Sequence, residues 1–133
     1  LFTPGDLLTA VEIPPLAPDT GFAHIKQRMK AESFSLATAS ARIGMRQGVA
    51  TSCRVALGAC IPFPVRLTHL EQALTGIDCN GRTTLEQTVN RALEGLAFLS
   101  KEGMSKKYIR HLAAVTLTDA IVQAAQNAQR RRS

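Results

Sequence analysis

Tryptophan is absent from the chain and tyrosine occurs once, so there are few rings on which nucleic-acid bases could stack. No stretch approaches the ~18 consecutive apolar residues of a membrane helix, which excludes helical insertion. The three cysteines, Cys53, Cys60 and Cys79, are odd in number and lack C-x-x-C spacing, so they outline neither a disulfide framework nor a zinc site. That usage fits a reducing cytoplasm. His24, His69 and His111 fall on different predicted elements with no Asp or Glu at ligand spacing, and no metal or nucleophile pattern can be drawn. No G-x-S-x-G elbow surrounds the serines of "ESFSLATAS". No G-x-G-x-x-G or Walker loop appears either, so the chain alone encodes no phosphate cradle. Its start, "LFTPGDLLTAVEIPP", carries neither a signal-peptide pattern nor an initiator Met, as expected of a piece of something longer.

What is present fits one domain, 1–133, of 45% hydrophobic and 20% charged residues. The net charge is +6, and Arg130, Arg131 and Arg132 supply half of it from the C-terminus. A terminal basic run reads as a solvated tail, and no nucleic-acid partner is expected.

The elements follow from period and punctuation. Leu7 to Ile13, between a Pro-Gly turn and Pro14-Pro15, is expected as an edge strand, because proline cannot donate to a ladder. "FAHIKQR" alternates Phe22, His24 and Lys26 against Ala23, Ile25 and Gln27, a second short strand. From Ala37 the odd positions are small and apolar (Ala37, Ala39, Ala41, Ile43, Met45), leaving a thin face on which another layer, the last helix, can come close. Past "RQGV" they are again apolar (Cys53, Val55, Leu57, Ala59). Directly opposed residues share a face, so a two-residue Gln47-Gly48 loop would set Ala41 against Arg54 and mix the faces. A three-residue loop, Gln47 to Val49 with Gly48 in a left-handed bulge, pairs Ile43 with Cys53, Ala41 with Val55 and Ala39 with Leu57.

"IPFPVR" then breaks the sheet. Thr68 with Glu71, and Thr83 with Glu86, have capping-box spacing ahead of a short helix (Leu70, Ala73, Leu74, Gly76) and a longer one (Leu85, Val89, Ala92, Leu93, Leu96). Ser105 opens the last helix, with Tyr108, Ile109, Leu112, Ala113, Leu117, Ala120, Ile121 and Ala124 on one stripe. Strands first and helices after give an α+β class: an antiparallel sheet of three to four strands packed on a layer of about three helices.

Four segments in order, "PGDLLTAVEIPP", "FAHIKQRMKAESFSLATASARI", "RVALGACIPFPVRLTHLEQALTG" and "SKKYIRHLAAVTLTDAI", resemble the C-terminal domain of the FAD-binding (medium) subunit of the molybdenum hydroxylases, the xanthine dehydrogenase and carbon monoxide dehydrogenase superfamily. The family pattern "alGg..p.P.r" runs through the third of them. The resemblance spans nearly the whole chain and implies a CO dehydrogenase flavoprotein C-terminal domain-like fold, at the end of a longer FAD-binding subunit. In such enzymes a molybdopterin-bearing subunit oxidises the substrate, iron–sulfur clusters on another subunit carry the electrons, and FAD passes them to NAD or another acceptor. This domain would form one wall of the flavin site and a subunit-docking surface, inactive by itself and with no catalytic residue or metal ligand of its own.

Carried over by position, the resemblance names Lys26 as a polar contact and Glu32, Ser33, Phe34 and Ser35 as the loop near the flavin edge. Met29 stands where the family commonly has an arginine, with Arg28 and Lys30 beside it. A cation at that edge stabilises the charge that a flavin gains on reduction. The residues alone also allow a plainer reading, with Lys26, Arg28 and Lys30 on the wet face of a short strand and Phe34 in the core. A non-catalytic interaction module and a basic nucleic-acid binder are the competing functional readings.

Overall fold

Two ten-residue strands, Ala37–Arg46 (β2) and Val49–Gly58 (β3), form the central hairpin of a computed structural model that describes residues 3–79, 81–101 and 103–132, the side chain of Arg132 excepted. Ile43 lies opposite Cys53, Ala41 opposite Val55 and Ala39 opposite Leu57, as the alternation requires. The loop, however, is the two-residue one. Gln47 (φ 51°) and Gly48 (φ 84°) both turn left-handed, the geometry of a tight primed turn, and Arg46 pairs with Val49. The register is rescued further along, where Gly44 pairs with Ser52 but Met45 with Ala50, leaving Thr51 as a bulged extra residue. The odd residue sits in the strand instead of the turn.

Thr20–Gln27 (β1) pairs antiparallel with β2, and Val65–Arg66 (β4) adds a two-residue edge to β3, giving the order β1-β2-β3-β4. Three helices follow: Thr68–Leu74 (α1), Arg82–Ala92 (α2) and Lys106–Arg132 (α3). α3 packs across β1 and β2, α1 against β3, and α2 against α1 and α3. The small side chains of Ala37, Ala39 and Ala41 are buried under this layer, as are Ala120, Ala124, Ala125 and Ala128 of α3, so helix and sheet approach closely. At Gly21 the approach is closest: a Cβ there would collide with the backbone of Ala124 and Ala128. Beside it, Asn127 Nδ2 donates to Phe22 O at 2.9 Å.

Several expectations are corrected. Leu7 to Ile13 pairs with no strand, and Leu7, Leu8, Val11 and Ile13 are exposed. Alternation suits a strand, but a ladder needs a neighbour, and the outer edge of β1 is met at Phe22 by the Asn127 amide instead. Neither capping box forms: Thr68 and Thr83 lie inside the helices, and the N-cap positions fall to Leu67 and Gly81, which have no side chain able to cap. Ala73 of α1 and Tyr108 of α3 are exposed, off the buried stripes to which the period assigned them. Ser105 does cap α3, its Oγ accepting from Tyr108 N–H at 3.2 Å.

Glu71 is nine-tenths buried and ties three elements together. It accepts from Val55 N–H (2.9 Å) and, in two parallel bonds of 2.7 Å, from Arg66 Nε and Nη2; Arg54 Nη1 lies 3.7 Å away. Glu86 instead pairs with Arg82 (2.9 Å), which also reaches Asp119 of α3 (3.1 Å). The three cysteines are free thiols inside the core, and burial pushes Cys53 up to about 11 and Cys79 to about 12, which suppresses the reactive thiolate. Among the described residues no helix is long and apolar enough to cross a membrane. Arg130 and Arg131 end α3 exposed, while the side chain of Arg132 lies outside the described residues.

Candidate functional site

The segment from Lys26 to Ser35 joins β1 to β2 at one end of the sheet. Lys26 is the exposed penultimate residue of β1, on the face away from the helices, opposite Thr38. It has no hydrogen-bond or ion-pair partner among the described residues. Leu36 N–H donates to Gln27 O (2.7 Å), closing the base of the loop.

Within the loop the polar groups are used internally. Arg28 Nη1 donates to Ala31 O (2.6 Å), so the guanidinium next to Met29 holds its own loop. Ser33 Oγ accepts from Lys30 N–H (3.1 Å) and donates to Lys30 O (3.0 Å), a small closed turn. Glu32 is exposed. Phe34 is 92% exposed, which overturns its reading as a core residue. Ser35 is half-buried, and its carbonyl accepts from Lys101 Nζ at 3.2 Å.

Lys101 is the contribution that the sequence did not announce. It lies 66 residues beyond Ser35 and comes to the loop because Leu99 N–H bonds Cys60 O (2.9 Å), drawing the 99–101 strap across this end of the sheet. Two more exposed apolar side chains belong to the connected segments, Phe63 and Leu99. The end of the sheet thus carries Lys26, Arg28, Lys30 and Lys101 against Glu32, with Phe34 and Phe63 exposed on the connected segments.

The bend at the end of β3 is strained. Cys60 N–H donates back to Gly58 O (2.8 Å) across Ala59, whose φ is +67°. A residue with a Cβ is costly in such a γ-turn. Ala59→Gly is therefore expected to raise stability by about 0.5–1 kcal/mol. Urea unfolding checks it, and a destabilised variant would mean that the methyl contributes packing that outweighs the strain.

Chemically, this end offers cations, an exposed ring and a braced loop, but no cluster of groups able to hold a metal among the described residues. It presents charge and an exposed ring.

Residues 22–124 match the family model described as the CO dehydrogenase flavoprotein C-terminal domain. Among solved structures, quinoline 2-oxidoreductase from Pseudomonas putida 86 aligns with TM-score 0.76 at 24% identity, over 82% of this chain and 38% of that one. Reconstituted CO dehydrogenase from Oligotropha carboxidovorans aligns with TM-score 0.78 at 22% identity, over 90% and 45%. Carbon monoxide dehydrogenase from Hydrogenophaga pseudoflava, in a form lacking the Mo-pyranopterin moiety of its cofactor, gives 0.74 at 20%, over 91% and 40%. The fold is shared, and the chain spans less than half the length of each. The curated proteins give no match.

Proposed function

Because this chain belongs to the CO dehydrogenase flavoprotein C-terminal domain family, we propose that it completes the FAD-binding subunit of a molybdenum-dependent oxidoreductase. In this reading iron–sulfur clusters on one partner subunit deliver electrons that a molybdopterin-bearing partner has taken from the substrate. They leave through FAD to NAD or another acceptor. The FAD is held mainly by parts of a longer protein, and 1–133 is its C-terminal domain.

The observation that carries the reading is the pairing of an unpartnered cation, Lys26, with a loop that is braced internally yet leaves Phe34 92% exposed. A ring this bare on a loop braced by its own hydrogen bonds supports a surface that a ligand covers. These residues fit a flavin edge. FAD, when bound, supplies the ring system that accepts the electrons. Lys26 would place positive charge where that ring gains negative charge, and Phe34 would shield the edge from water. Glu32 would face the same edge. Ser33, whose hydroxyl is spent within the loop, would shape the wall without bonding the ligand. Ser35 would act through a backbone that Lys101 steadies.

The test uses the longer protein carrying this chain. It should purify yellow, and Lys26→Gln should lower the two-electron flavin potential, by about 30 mV for each tenfold loss of preference for the reduced form. The 133-residue chain alone should take up FAD weakly or not at all. A colourless longer protein that takes up no FAD on reconstitution would end the proposal.

A further inference from the structure

The 28–35 segment is held to the rest of the fold at few points. Arg28 bonds Ala31 O, and Ser33 bonds both the N–H and the carbonyl of Lys30, so these contacts stay within the loop. The Gln27–Leu36 bond closes its base. Among the described residues one hydrogen bond reaches the segment from elsewhere in the chain, from Lys101 Nζ to Ser35 O at 3.2 Å.

The strap that delivers Lys101 is itself fixed on both sides. Ahead of it Phe98 is buried and Leu99 N–H bonds Cys60 O (2.9 Å); behind it Met104 N–H returns to Lys101 O (2.7 Å) just before α3. Lys101 is half-buried, and its charge is felt inward as well: burial pushes the Cys60 thiol up, while a backbone hydrogen bond and the Lys101 ammonium oppose that rise. A side chain restrained in this way loses less entropy on binding a carbonyl than a free surface lysine does. Its bond is also charge-assisted, and so about twice as strong as a neutral one.

We propose that Lys101 is a positioning residue for the 32–35 wall: its bond to Ser35 O fixes the backbone next to Phe34 and thereby holds that ring where it shields the bound flavin from water. The inference rests on the flavin reading and adds to it a second element, the 99–101 strap. Lys26 acts there by charge, Lys101 by place. Without the tie, a loop whose remaining bonds are internal is free to swing as a unit about its Gln27–Leu36 base, carrying Phe34 with it.

The test compares two variants in the longer protein: Lys101→Met, which keeps the stem and removes the donor, and Lys101→Arg, which keeps a charged donor. In Lys101→Met, exchange of the bonded amides of Lys30, Ser33 and Leu36 should be about tenfold faster, as expected when one charge-assisted bond no longer opposes a local opening. Tm should stay within about 2 °C, because the opening is local. Acrylamide, a neutral quencher indifferent to the lost charge, should quench the flavin about twofold or more strongly. Lys101→Arg should restore both readings. A yellow protein with unchanged exchange over 28–36 in Lys101→Met would overturn this inference and leave the flavin reading standing. Faster exchange with unchanged quenching would also overturn it, since the loop would then move without uncovering the ring. A longer protein that takes up no FAD ends the flavin reading itself, and this inference with it.

Discussion

Gly21→Ala is expected to lower the unfolding free energy by about 3 kcal/mol or more, the upper range for overpacking a core. The reason is where the added methyl lands. It meets the carbonyl of Ala124 and the amide of Ala128, and Asn127 C at 2.9 Å, all backbone of α3. No side chain can rotate aside, so a 27-residue helix must lift from β1 and β2 and open the alanine-lined contact below it. Gly44→Ala makes the contrast. Its methyl would meet Ser52 Oγ at 2.5 Å, the end of a side chain that can turn away, so the loss should stay near 1 kcal/mol. Thermal unfolding of the two variants side by side decides the matter. A Tm for Gly21→Ala within 2 °C of the parent, on a scale where about 3 kcal/mol moves a domain this size by roughly 10 °C, would show that the contact of α3 with β1 yields to the methyl at little cost.

Glu71→Gln should cost about 2 kcal/mol at pH 7, and Glu71→Ala about 3 kcal/mol. A buried charged acceptor is lost with its hydrogen bonds, and alanine also leaves Val55 N–H unsatisfied. The figures sit below the range for a fully buried ion pair because Arg66 is half exposed. The same group fixes a pH dependence. The Arg66 hydrogen bonds, with smaller help from Val55 N–H and the nearby guanidinium charges, hold the Glu71 carboxyl below its ordinary 4.5 despite burial. A folded-state value below the unfolded one means that the contribution is complete above about pH 4.5 and is lost as pH falls through the depressed folded value. Urea titrations at pH 7 and pH 3 should therefore show parent and Glu71→Gln converging in acid. A gap of equal size at both pH values would show that Glu71 works through shape instead of charge.

Much of the fold was legible because strand faces are periodic. The thin alanine face of β2 and the bulk on β3 determined which residues oppose one another, and Ser105 announced α3. The loop was misjudged for a related reason: counting faces requires one odd residue between Ile43 and Cys53 but does not say where it lies. Gln47 carries none of the left-handed preference that Asn would show, so nothing marked Gln47-Gly48 as a complete turn. The capping boxes failed because the helices begin at Thr68 and Arg82, which puts both threonines inside the first turn, and the Thr-to-Glu spacing does not fix where a helix starts. Leu7 to Ile13 has a strand's alternation without a strand's neighbour, and neighbours are not written locally.

At the candidate site, family resemblance named the 32–35 loop, and the exposure of Phe34 is what a structure adds. Lys101 was invisible because 66 residues of fold separate it from Ser35. Ala59 did carry a signal: the family pattern places a second glycine at that position.

The bond from Asn127 to Phe22 joins residues 105 apart, and Gly21 rests on the same turn of α3. During synthesis β1 precedes its helix partner by the length of the intervening sheet and helices, so the inner face of β1 stays uncovered until α3 has emerged. Contacts of such long range make folding slow. Any C-terminal shortening that removes the turn around Asn127 would leave the opening strand without its cover.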